Sequence, residues 1–108
     1  MSGVLDHFDK LIAATPSPTV TDPCAFIDEA RAIIAERGAA YGGVEDSFER
    51  AAAIASLKLN KTITAYDVAT VLESVKDARK ALNPTHRDSH IDGINYSAFR
   101  AAFALKGT

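Results

Sequence analysis

TAYDVATVLESVKDARKAL, residues 64–82, sets Val68, Val71, Leu72, Val75, Ala78 and Leu82 mostly three or four positions apart. A helix of about 3.6 residues per turn brings that spacing onto one side of a segment, and no strand does. Thr64, followed by Asp67, is read as a capping box: the hydroxyl accepts the amide of residue 67 while the carboxylate accepts the amide of residue 64. The stretch therefore predicts a helix opening at Thr64 with a long apolar face that needs a neighbour.

The same pattern recurs on both sides of it. Downstream, Pro84 interrupts, and Thr85 with Asp88 is read as a second capping box. The helix it opens is expected to turn Ile91, Ile94, Ala98, Ala102 and Leu105 inward and to stop at Gly107. Upstream, Phe48, Ala51, Ala52, Ala55 and Leu59 keep helical spacing until Asn60 and Lys61 break it. GAAYGG, residues 38–43, holds three glycines around one tyrosine and is read as a loop. Before it, Asp22 as cap and Pro23 at the first helical position open a helix with Phe26, Ile27, Ala30, Ile33 and Ile34 inward, ended by Gly38. TPSPTVTD, residues 15–22, is an expected extended linker. Val4, Leu5, Phe8, Leu11 and Ile12 predict a short first helix over 3–14, with Ser2 as its cap.

No segment alternates with period two for long enough to make a strand. The expectation is one all-α domain over residues 1–108, about five helices in a compact bundle, with a helical core over 23–106. Short loops between the last three helices make them antiparallel neighbours. Tyr96, Phe99 and Phe103 form a second apolar arc on the last helix, and two arcs require two neighbours. A second subunit is the expected one, in a homo-oligomer.

Composition narrows the partners. With 108 residues, 47% hydrophobic and 24% charged, the chain has the makings of an ordinary globular core. No apolar run approaches the roughly 20 residues of a membrane span. A formal net charge of −2 argues against general nucleic-acid binding, which rests on many cations meeting phosphates. MSGVLDHFDK lacks a basic segment followed by an apolar one, so a cytoplasmic location is expected. Cys24, the sole cysteine, is read as core filler rather than as a nucleophile.

HRDSHIDGINY, residues 86–96, concentrates two histidines and two aspartates. On a helix His86 shares a face with His90, and Asp88 with Asp92, the two pairs pointing nearly apart. One metal cannot take all four, and the histidines are read as solvated or capping. Asp88, Asp92 and Asn95 fall together on the seam between the two apolar arcs. Hard oxygen ligands there suit Mg²⁺ or Mn²⁺ carrying a phosphate, the alternative being a cap and a surface charge. Glu45, Asp46 and Glu49 open their helix, where acids suit the dipole. Glu45 and Glu49 also flank Phe48, which lets them look into the bundle. Arg79 lies inside the apolar stripe and Lys76 at its edge, either as internal ion pairs or as a phosphate clamp. Tyr41 either stacks on a base or plugs the core.

RGAAYGGVEDSFERAAAI, ITAYDVATVLESVKDARK and NPTHRDSHIDGINYSAF together resemble a family of small bacteriophage proteins of unknown function, over roughly residues 25–105. The pattern is R-G, then Y-G-D, N-F, K-x-x-R and H-R-D-S-x-x-D before G-Y. It matches at Arg37, Gly38, Tyr41, Gly42, Phe48, Lys76, Arg79, His86, Arg87, Asp88, Asp92 and Tyr96, and departs at Gly43 and Ser47. Such proteins look distantly like the all-α nucleotide pyrophosphohydrolases of the MazG and HisE type, which cleave nucleoside triphosphates with helix-borne carboxylates and Mg²⁺. Glu45, Asp46 and Glu49 nearly match that type's E-E-x-x-E, whereas Asp88 and Asp92 stand four apart rather than three.

The resemblance implies a Mg²⁺-dependent hydrolase in which Glu45, Glu49, Asp88 and Asp92 hold the metal and act in catalysis. Tyr41, Lys76, Arg79, Arg87 and Asn95 then bind the nucleotide or another phosphorylated small molecule. A second reading is a module that sequesters a nucleotide or cyclic nucleotide without catalysis. A third is a helical oligomer acting through protein contacts.

Overall fold

The computed structural model describes residues 21–41 and 43–106, and four helices hold nearly all of them. In chain order these are α1 (Pro23–Tyr41), α2 (Val44–Leu59), α3 (Ala65–Leu82) and α4 (Arg87–Leu105). No strand occurs among the described residues. The expected helix over 3–14, most of the linker over 15–22 and the stop at Gly107 lie outside them.

The helix starts are local chemistry. Asp22 accepts the Cys24 amide through Oδ1 at 3.0 Å and the Ala25 amide through its carbonyl at 3.1 Å, with Pro23 in the first turn where no amide is missed. Thr64 and Asp67 make the full capping box of α3, the Asp67 amide donating to Thr64 Oγ1 at 3.1 Å and the Thr64 amide to Asp67 Oδ2 at 2.9 Å. Before α4 the expected box is absent. Thr85 turns back to donate to Asn83 Oδ1 at 2.9 Å, His86 is the N-cap residue, and Asp88 stays exposed. The tight Asn83–His86 turn, closed by the His86 amide on the Asn83 carbonyl at 3.0 Å, takes the threonine hydroxyl away from α4. Asn60 ends α2 in the left-handed conformation (φ 54°, ψ 45°), which asparagine tolerates. Ile63 then donates its amide to Ser56 Oγ at 2.8 Å and fixes the short loop into α3.

α1 runs through Gly38 to Tyr41 instead of ending at the glycine. A β-carbon added at Gly38 would meet nothing within 4 Å, and its φ is not positive. Gly38→Ala is therefore expected to stabilise the chain by about 0.5–1 kcal/mol, read as a raised thermal midpoint. A glycine serving as the left-handed helix stop would give the opposite sign.

α3 and α4 form the principal pair. Lys76 meets Asp92 and Glu73 meets Arg100, so the residue numbers descend on one helix as they rise on the other. The two are antiparallel, as their four-residue loop demands. α1 packs on α4 and α2 on α3. Phe48 of α2 lies in the core with Ala65 and Ala69 of α3, and Val68, Leu72, Tyr96, Phe99 and Phe103 close around it. The aromatic arc of α4 thus takes its second neighbour from the same chain. Phe48 stands 6.4, 5.0 and 5.4 Å from the Tyr96, Phe99 and Phe103 rings, which removes this arc as a reason for a partner subunit.

The inward faces are rotated from the expected ones. On α3 Ala65 and Ala69 are buried and Val68, Leu72, Glu73, Lys76 and Lys80 half-buried, while Val71, Val75, Ala78 and Leu82 are exposed. On α4 Ser89, Ile91, Gly93 and Asn95 are buried, and Ala98, Ala102 and Leu105 are exposed. Ile27 of α1 and Ala51 and Leu59 of α2 also face out. Small and polar residues at the α3–α4 seam let the helices approach closely, a choice invisible to a pattern that counts apolar residues.

Candidate functional site

A cleft of about 500 Å³ opens where all four helices contribute a wall. α1 supplies Ile33, Ile34 and Arg37, and α2 supplies Ser47, Phe48, Arg50 and Ala51 behind Gly43. Val68 and Leu72 of α3 continue the apolar floor, and α4 adds Asp92, Asn95, Tyr96 and Phe99. An aromatic and aliphatic interior with a few polar groups is the usual make-up of a small-molecule site.

The polar groups come in two sets. Asp92 and Asn95 stand three apart on α4, which puts them on one face. Lys76 Nζ holds Asp92 Oδ2 at 2.9 Å in a largely buried ion pair across the α3–α4 seam. Asn95 is 7% exposed, and its side-chain amide has no hydrogen-bond partner among the described residues. Among the described residues the buried side-chain atoms without a partner are Glu73 Oε2 and Arg100 Nε, so the Asn95 amide opens onto the cleft, where it can hydrogen-bond what enters. The other set is cationic: Arg37 and Arg50 are exposed, and neither guanidinium meets a carboxylate among the described residues.

The expected site residues are distributed unevenly. Asp92 and Asn95 line the cleft and Lys76 touches it through Asp92. Arg79 is exposed, against the buried, paired position its place in the stripe suggests. Arg87 forks onto both carboxylate oxygens of Glu29 and lies 5.4 Å from the Phe26 ring centroid, so it clasps α1 to α4. Glu45 and Asp88 are exposed, and Glu49 borders a separate hollow beside Thr64, Tyr66 and Phe103. No group of three or more His, Cys, Asp or Glu able to hold a metal is present among the described residues, so Glu45, Glu49, Asp88 and Asp92 do not assemble around one ion. Glu45, Glu49 and Asp88 are exposed, and Phe48 with Tyr96, Phe99 and Phe103 fills the space between α2 and α4. Tyr41 ends α1, and its side chain lies outside what is described. Gly43 and Ser47, where the sequence departs from the pattern it resembles, both line the cleft.

His86 and His90 serve the fold. His90 Nε2 donates to the Pro84 carbonyl at 2.7 Å, which places the proton on that nitrogen, and His86 Nδ1 lies 2.7 Å from Ser89 Oγ. Cys24 is exposed rather than in the core.

The clasp and the α3 cap predict acid lability. The hydrogen bonds from Arg87 hold the Glu29 carboxyl below its usual range, and the hydrogen bonds with Thr64 do the same for Asp67. Both folded values lie below the unfolded ones of about 4.3 and 3.9, so their stabilisation is complete above those values and is lost as pH falls through the folded ones. Melting between about pH 6 and about pH 3 should show a fall in thermal midpoint that flattens in Glu29→Gln/Asp67→Asn. An equal slope in that variant would assign the lability elsewhere.

Residues 25–104 match the model of a family described as a domain of unknown function (DUF6378). No curated protein and no solved structure matches the chain. No helix among the described residues is long and apolar enough to cross a membrane.

Proposed function

The chain belongs to the DUF6378 family, which carries no assigned activity, and we propose from this chain's own geometry that it binds a nucleotide in the four-helix cleft. The observation that carries the reading is Asn95, a largely buried residue whose amide has no partner among the described residues and opens onto the wall of an aromatic-floored cleft. A base lying against Phe48, Tyr96 and Phe99 supplies stacking area and offers that amide hydrogen bonds in place of those to water. Arg37 and Arg50 are then the counter-charges for the phosphate, a role for which the planar guanidinium fork is well shaped.

Binding without turnover is favoured over Mg²⁺-dependent pyrophosphate release. Of the cleft-lining residues only Asp92 is a carboxylate, and Lys76 already engages it. Phosphate charge is met by arginine on this reading, so affinity does not depend on a divalent ion.

Titration calorimetry with nucleoside mono- and triphosphates, each with Mg²⁺ and with a chelator, tests it. The expected result is binding of equal strength in both conditions with no product formed. Heat only in the presence of metal, together with pyrophosphate release, would return the hydrolase reading to first place. The absence of binding by any nucleotide would refute both.

A further inference from the structure

Building on the nucleotide reading of the cleft, we propose that the site selects guanine over the other bases. Asp92 lines the cleft and is fixed by Lys76, whose ammonium holds Oδ2 at 2.9 Å and leaves Oδ1 as an acceptor without a partner among the described residues. One turn along the same face, Asn95 presents an unpartnered amide, which can both donate and accept. The polar wall is thus a carboxylate acceptor beside an amide donor, both held by a helix and both largely withdrawn from water.

Guanine meets that order of groups. Its N1–H and N2–H donors lie side by side, one for the free Oδ1 and the other for the lone pair that Lys76 leaves on Oδ2, and O6 beside them accepts from an amide or from the remaining Lys76 hydrogens. Adenine turns its N1 lone pair toward the carboxylate, and cytosine its N3. Uracil offers a single N–H between two carbonyls. Each of these leaves an acceptor facing Asp92 or a buried group unpaired, and a site built to hydrogen-bond one partner rejects those that cannot complete it. Phe48, Tyr96 and Phe99 add stacking that does not discriminate, so the preference rests on the α4 pair.

Calorimetry with GMP and AMP on the full chain, wild type and Asp92→Asn, tests the inference. The two ligands have the same phosphate and ribose, so their ratio isolates the base. The expected result is GMP at least about tenfold tighter than AMP, about 1.4 kcal/mol, with the ratio falling to within about threefold in Asp92→Asn because the amide adds a donor where only an acceptor stood. Equal wild-type affinities overturn the guanine assignment and leave the cleft as a general nucleotide site. Binding of neither refutes the underlying reading. The wild-type ratio stands by itself if the variant melts early through loss of the Lys76 ion pair. Where the variant folds, an unchanged ratio removes Asp92 from recognition.

Discussion

Phe48→Ala is expected to cost about 3–5 kcal/mol of folding stability, the range for truncating a buried aromatic that leaves a cavity. Phe48 is 7% exposed and is the one α2 side chain in edge or tilted contact with three α4 rings, at 5.0 to 6.4 Å between centroids. Tyr96, Phe99 and Phe103 are held by a helix whose main partner is α3, so they cannot collapse inward to fill the gap. A domain of this size has about 5–15 kcal/mol in total, and the variant should sit near the edge of folding at ordinary temperature. Denaturant titration by circular dichroism reads the loss. Ile54→Ala, at a side chain 54% exposed, is the control and should stay within about 0.5 kcal/mol. A Phe48→Ala loss under about 1 kcal/mol would mean that the aromatic cluster is not what holds α2.

The parts of this fold that sequence discloses are those set by a few adjacent residues. The Asp22–Pro23 start of α1, the Thr64–Asp67 box and the break at Asn60 each rest on groups within three or four positions of one another. What it hides is which side of a helix wins when two sides are plausible. Val71, Val75 and Leu82 make a clean apolar stripe, yet α3 turns Ala65, Ala69, Glu73 and Lys76 toward α4. Lys76 pairs with Asp92 and Arg100 with Glu73 across that seam, with Gly93 close to Lys80, while the aliphatic stripe is left exposed. Thr85 had the spacing of a cap and lost its hydroxyl to a neighbouring turn.

The site was legible to the same degree. Asp92, Asn95 and Lys76 follow from helical spacing, since Asp92 and Asn95 lie three apart and Lys76 sits one turn past Leu72 on the facing helix. Arg87 could not be assigned from spacing because its partner, Glu29, is 58 residues away. Arg37 and Arg50 left a faint signal. Arg37 continues the Ile33–Ile34 face by one turn, and Arg50 stands three residues after Ser47, so both are cations placed where an apolar or small-residue face runs to its edge.

Arg37→Ala/Arg50→Ala is expected to weaken nucleotide binding by about 100-fold or more. A hydrogen bond to a charged group contributes about 1.5–3 kcal/mol, and exposure at the rim places each arginine at the low end, about tenfold apiece. Neither side chain has an ion pair to lose among the described residues, so the thermal midpoint of the free chain should hardly move. That separation makes the pair a cleaner probe than any cleft residue in the core: affinity falls while the fold persists. Arg37→Lys/Arg50→Lys keeps the charge but not the fork and should fall between, and raised salt should weaken the wild type more than the alanine pair. An alanine pair that binds GMP as the wild type does would show that the phosphate lies away from this rim, with the cleft holding the base alone. A fall in the free chain's stability matching the fall in affinity would instead make the arginines part of the fold.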